Sequence, residues 1–172
     1  MCSNIESPRA ALLLVVAIGM ALLFASCGFQ PRGRADLSFE RIYVETDGFS
    51  LFGAELRRVI QTGNVVEVVD TADEAEVVLK VVSELQERKI LSLTGTGSVR
   101  EFDLIYRVAY RIMDNQLKDM TAPGEIVLRR AMLFDDTLRL AKESEAELLY
   151  RDMQTDAVQQ MLRRLSVIQV QS

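Results

Sequence analysis

Apolar and polar positions divide the chain into a greasy leader, a short irregular connector and a body of alternating elements. Residues 10–24, AALLLVVAIGMALLF, are unbroken apolar or small. As a helix at about 1.5 Å per residue they reach roughly 22 Å, short of the roughly 30 Å hydrocarbon core. That length fits the h-region of a signal peptide better than a membrane span. Residues 28–38, GFQPRGRADLS, mix Gly, Pro and Arg and read as a tether. Residues 39–46 predict a strand with Ile42 and Val44 on one face and Arg41 and Tyr43 on the other. Ser50 is placed to cap a helix over 51–62, with Phe52, Leu56, Val59 and Ile60 on one stripe and Gly63 to stop it. Residues 64–70 are Val-rich and predict a second strand.

Two long strands follow. Residues 75–91 set Val77, Leu79, Val81 and Leu85 against Glu76, Lys80, Glu84, Gln86 and Arg88. After a turn at 92–97, residues 99–114 place Phe102, Leu104, Tyr106, Val108, Tyr110 and Ile112 on one face and Glu101, Asp103, Arg107 and Arg111 on the other. This pattern predicts a hairpin with one buried and one wetter face. A turn at 119–124 leads to a further strand over 125–135, with Ile126, Leu128, Met132 and Phe134 aligned. Ser144-Glu145-Ala146-Glu147 matches a capping box. Beyond it Leu149, Met153, Ala157, Met161, Leu165 and Ile168 recur at helical spacing, a helix of about 20 residues that can cover one sheet face. The order predicts an α+β fold: a mixed, largely antiparallel four- to five-stranded sheet with two helices packed on one face. Residues 1–26 are assigned as a lipoprotein signal peptide, 27–38 as a lipidated tether and 39–172 as one domain.

Composition removes most chemistry. The chain of 172 residues has no His and two Cys, and both cysteines lie in or beside the leader. Without His, the commonest general base, metal ligand and activator of Ser or Cys nucleophiles is missing. The body has no thiol for a disulfide or a metal site. A net charge of −5 argues against general nucleic-acid binding. An enzyme is not expected. Gly95-Thr96-Gly97 lacks the following Lys and helix of a phosphate loop, so it reads as a hairpin turn. The Met-bearing stripe of the last helix reads as core. Asp135-Asp136 could bind a cation but reads better as a polar turn.

The most specific signal is Leu22-Leu23-Phe24-Ala25-Ser26-Cys27, which resembles the lipobox of bacterial lipoproteins. Phe24 stands where that pattern usually has Leu, and Arg9 is the one cation of the leading segment, offset by Glu6. The resemblance implies cleavage before Cys27, with an S-diacylglycerol and an N-acyl chain on that residue and no other cofactor. Gly28, where Asp would favour inner-membrane retention, implies the outer membrane, periplasmic side.

Further resemblance runs along the body. Cys27-Gly28-Phe29-Gln30-Pro31-Arg32-Gly33, the strand–helix pair from Ile42 to Ile60, the strand Glu101-Phe102-Asp103-Leu104-Ile105-Tyr106-Arg107-Val108-Ala109-Tyr110-Arg111, and the stretches Leu140-Ala141-Lys142-Glu143-Ser144-Glu145 and Asp156-Ala157-Val158-Gln159-Gln160-Met161-Leu162-Arg163-Arg164-Leu165 are together similar to the lipopolysaccharide-assembly lipoproteins of the LptE (RlpB) family. The resemblance implies a non-catalytic subunit that sits one-to-one inside the lumen of the LptD β-barrel. There it assists assembly of that barrel and lipopolysaccharide delivery to the cell surface. Lipopolysaccharide contact needs cations for phosphates and apolar surface for acyl chains. The candidates are Arg57 and Arg58 on the first helix, Arg88 and Lys89 before the turn, and Arg100, Arg107 and Arg111 after it. The turn could bring Arg88, Lys89 and Arg100 close. The competing reading is a solvated face with ion pairs to Glu84, Glu87 and Glu101. Two other roles stay open: an auxiliary lipid-binding lipoprotein of another envelope (ABC-type) transporter, and a structural lipoprotein with no ligand.

Overall fold

The computed structural model describes residues 37–63 and 66–169. Strands β1 (Arg41–Glu45), β2 (Glu67–Val68), β3 (Val77–Leu93), β4 (Val99–Met113) and β5 (Gly124–Leu133) form one sheet in the order β2-β1-β3-β4-β5. β1 runs parallel to both β2 and β3, whereas β3, β4 and β5 are antiparallel neighbours. Helices α1 (Leu51–Gly63) and α2 (Arg139–Leu165) pack on one face, so the α+β expectation holds.

The core follows the predicted stripes. Ile42 and Val44 of β1, Val77 and Leu79 of β3, Leu104, Tyr106, Val108 and Ile112 of β4, and Ile126 and Met132 of β5 meet Phe52, Leu56 and Ile60 of α1 and Met153, Ala157, Met161 and Leu165 of α2. Apolar burial on this scale, at about 25 cal/mol per Å², is what orders the two helices against the sheet. Under the opposite face a smaller cluster of Ala75, Val78 and Met113 packs with Tyr43, Val69 and Ala72.

Three elements depart from the sequence pattern. Among the described residues β2 is two residues long rather than a full strand, and Val66 just before it is buried in the core. α2 starts at Arg139, ahead of the capping box. Asp135 accepts from Thr137 N–H at 2.9 Å and nucleates a 3₁₀ turn, Asp136–Leu138, that feeds the helix. Ser144 Oγ therefore lies inside α2 and donates back to Leu140 O at 3.2 Å. Third, a bulge between Val81 and Ser83 shifts the β3–β4 register by one residue. Val81 pairs with Tyr110, but Glu84 pairs with Val108 and Gln86 with Tyr106. A one-residue slip exchanges the faces. Leu85, expected inside, lies half exposed on the open face, and Glu84, expected in solvent, turns toward the helices.

Candidate functional site

The inward turn of Glu84 builds the most connected polar site of the sheet. Its carboxylate accepts from Ser50 Oγ at 2.6 Å, from Phe52 N–H at 3.3 Å and from the Tyr106 hydroxyl at 2.6 Å. Ser50 Oγ in turn accepts from Gly53 N–H at 2.9 Å. The capping role assigned to Ser50 is present, but a carboxylate from the sheet shares it. An anion at a helix N-terminus is favoured by the unpaired N–H groups and the helix dipole. Burial, followed by the Glu84 carboxylate, pushes the Tyr106 hydroxyl far above its ordinary pKa. Tyr106 therefore stays a neutral donor. This is a folding device without a nucleophile.

The seven basic candidates separate into different environments. Arg57 reaches across the sheet edge to Val44 O at 2.5 Å and Thr46 Oγ1 at 3.1 Å, a structural position. Arg58 stands largely in solvent, 3.9 Å from Glu55. Arg88 points to the helix face, forks onto Glu143 of α2 at 2.9 and 2.8 Å, and lies 5.3 Å from the Phe102 ring centre. Hydrogen bonding to Arg88 holds the Glu143 carboxyl below the usual range. Lys89, one residue on, takes the opposite face and pairs with Glu87 at 3.1 Å. Arg107 bridges Glu125 at 2.9 Å and Glu87 at 3.6 Å, and Arg111 forks onto Asp119 at 3.0 and 2.8 Å. Arg100 has no ion-pair partner among the described residues.

The hairpin does not gather Arg88, Lys89 and Arg100. Arg88 pairs with Leu104, four positions from Arg100, roughly 13 Å along a strand. Only Arg107 and Arg111 are paired across the sheet; Arg88 pairs with α2, Lys89 within its own strand and Arg58 within its own helix, and of the carboxylates named in the competing reading Glu87 is a partner. Glu84 faces inward instead, and Glu101 accepts from Ser92 Oγ at 2.6 Å.

At the turn end, exposed apolar side chains collect: Ile90, Leu91 and Leu93 of β3, Leu133 of β5, and Leu138 and Leu140 at the start of α2. Arg100 and Arg139 stand among them. Sequence reasoning missed Arg139, because it began the last helix too late. It also missed Arg129, whose guanidinium pairs with the nearly buried Asp103 on the open face. Cys27, the lipidation candidate, and the signal peptide lie outside the described residues.

The first described residues lie at the opposite end of the sheet from the turn. Ser38 Oγ donates to Ile168 O beside the start of β1, and β1 aligns with the first residues of β3. The 17 residues of β3 extend away from there over roughly 55 Å.

The family model for LptE, described as lipopolysaccharide-assembly, matches residues 39–165. The chain belongs to the LptE family. A protein of Yersinia enterocolitica named LPS-assembly lipoprotein LptE is 26% identical, with 91% of this chain and 76% of that protein covered. The solution NMR structure of an uncharacterized lipoprotein B from Nitrosomonas europaea is 44% identical, with a TM-score of 0.71, covering 81% of this chain and 90% of that one. The crystal structure of rare lipoprotein B from Shewanella oneidensis is 30% identical, with a TM-score of 0.65, covering 74% of this chain and 94% of that one. Membership places the chain among lipoproteins of lipopolysaccharide assembly in the cell envelope. Among the described residues no helix is long and apolar enough to cross a membrane, and no cluster of acidic residues is arranged to hold a metal ion.

Proposed function

We propose that this LptE-family chain is a non-catalytic lipoprotein, lipidated on Cys27 and held at the periplasmic side of the outer membrane. In this reading it seats one-to-one in the lumen of the LptD β-barrel, supports the assembly of that barrel, and contacts lipopolysaccharide during delivery to the surface. The observation that carries the reading is the turn end of the sheet. It combines exposed Ile90, Leu91, Leu93, Leu138 and Leu140 with the unpaired Arg100, an amphipathic surface suited to an anionic, acylated ligand. That end lies farthest from the start of β1. The polar, ion-paired open face suits a lumen lined by polar side chains.

Co-purification of the tagged full chain from outer membranes in mild detergent tests the reading, combined with photo-crosslinking from positions 86–100 and from α2. Recovery of a large β-barrel in equal amount, cross-linked to the hairpin, is expected. Recovery in the inner membrane with phospholipid would favour an auxiliary subunit of another lipid transporter and overturn it. Mass spectrometry of Cys27 is expected to show the acylated N-terminal peptide; an unmodified thiol with the leader attached would remove the anchoring step.

A further inference from the structure

β1 ends at Glu45, opposite Lys80, while β3 runs on to Leu93. From Val81 onward β3 has no strand on that side among the described residues. Along β4, even-numbered residues bond toward β5: Phe134 N–H donates to Arg100 O and Met120 N–H to Ile112 O, both at 2.9 Å. Odd-numbered β4 residues therefore serve β3, and their partners Leu85 and Glu87 spend their backbone groups there. Glu84 and Gln86 turn their N–H and C=O groups to the open side. They face a cleft of about 450 Å³, lined by Val81, Val82 and Ser83, by Asp47 and Phe49 of the loop into α1, and by Leu51, the first residue of that helix. Phe49 is 95% exposed, Leu51 61% and Val82 57%.

Other stretches of exposed edge carry the usual protection against strand addition. β5 carries Arg129 and Arg130, and β3 beyond the cleft carries Arg88 and Lys89. Between Val81 and Gln86 there is no cation, and a large aromatic ring stands in water beside unpaired backbone. Of the two carboxylates on the rim, Glu84 is satisfied by three donors, whereas Asp47 takes part in no ion pair among the described residues. The rim is acidic and the wall apolar.

We propose that this notch takes an extended polypeptide segment that adds to β3 as a further strand, with an apolar residue against Phe49 and Val82 and a Lys or Arg toward Asp47. The proposal rests on the barrel reading above, and it identifies the segment. A closed membrane barrel leaves no strand edge free within the hydrocarbon core. The added strand must therefore be a loop or a terminal extension of the barrel subunit.

The test uses the full chain co-expressed with the barrel, with a photo-crosslinking amino acid at Val82 or Phe49 and, as a control, at Val127 on β5. Adducts from Val82 and Phe49 are expected to map to one loop or terminal segment of the barrel carrying a basic residue. Val82→Lys is expected to leave thermal unfolding unchanged and to lower barrel recovery by about tenfold. Adducts to a second copy of this chain or to residues 28–36, or no adduct while the wild-type chain still recovers the barrel, would overturn the strand-addition proposal and leave the barrel reading standing. Loss of barrel recovery from the wild-type chain would remove both. Equal recovery with Val82→Lys would also overturn the proposal.

Discussion

Replacing Glu84 with Ala removes the acceptor shared by Ser50, Phe52 and Tyr106, and the structure sets the size of the loss. The Tyr106 side chain is fully buried, so its hydroxyl would be left without a partner, at about 1–3 kcal/mol. Losing a carboxylate that supports the first turn of α1 costs about 1 kcal/mol more. Ser50 keeps Gly53 N–H, which limits the damage. The sum is about 3 kcal/mol, or a fall of roughly 6–12 °C in Tm for a domain of this size. The mechanism is separable by a double-mutant cycle. Tyr106→Phe alone should cost about 1 kcal/mol, and in the Glu84→Ala background it should cost nothing or give a slight gain, because no hydroxyl is then stranded. Thermal and urea unfolding of the full chain in detergent, followed by circular dichroism, measures all four species. Additive losses would refute the shared-carboxylate account, as would a Glu84→Ala loss below about 0.5 kcal/mol.

Gly53→Ala is expected to destabilise by about 1–3 kcal/mol despite the better helix propensity of Ala, because the new Cβ would overlap the Thr46 side chain; adding Thr46→Ala should restore most of the loss in the same unfolding assay. Stability should fall as pH drops through and below the usual carboxylate range. Arg111 holds Asp119 low, Arg88 holds Glu143 low and Lys89 holds Glu87 low, so these carboxylates bind fewer protons folded than unfolded; a titration of Tm that is flat down to the acid limit would contradict the pairs. At the alkaline end the sign is reversed. The raised Tyr106 favours the folded state until the unfolded hydroxyl ionises near pH 10, so stability should decline above that pH in the native chain and less in Tyr106→Phe. For lipopolysaccharide binding, Arg100→Glu should weaken capture by the full chain more than Arg107→Glu does, since Arg107 already serves Glu125 and Glu87; equal effects in a pull-down at fixed salt would count against a contact at the turn end.

The parts of this fold legible in the sequence are those in which one residue's environment follows from its spacing. Leu104, Tyr106, Val108, Tyr110 and Ile112 alternate without interruption, and β4, the central antiparallel strand, buries the face they name. Phe52, Leu56 and Ile60 did the same for α1. Legibility stops where a local choice depends on a distant partner. The start of α2 was misplaced because Ser144 and Glu147 match a capping box, yet the Asp135 side chain closes a turn earlier and the helix is already running when Ser144 is reached. Sequence spacing shows both starts and does not weigh them.

The bulge in β3 is the more instructive failure, because the candidate site depends on it. Strict alternation puts Leu85 inside and Glu84 outside, and a polar Glu on a strand gives no local sign that it belongs elsewhere. The inward position is stable because three donors converge there: a serine at the α1 cap, the Phe52 N–H in the first turn of that helix, and a tyrosine from the neighbouring strand. None is closer than 22 residues in sequence. With Glu84 drawn inward, Leu85 must emerge, and the shift leaves Glu84 and Gln86 with their backbone groups turned to the unpaired edge. One register slip thus anchors a helix, exposes an apolar side chain and shapes the notch beside Phe49. A variant with Val82 deleted would close the ladder without a bulge, setting Ser83 after Val81 opposite Ala109 and leaving Glu84 opposite Val108, still turned toward the helices. It should keep the α1 cap and lose the Val82 wall of the notch, so that barrel recovery falls while unfolding of the helix cap is unchanged; loss of the cap would show that the extra residue itself, and not the three donors, holds Glu84 inward.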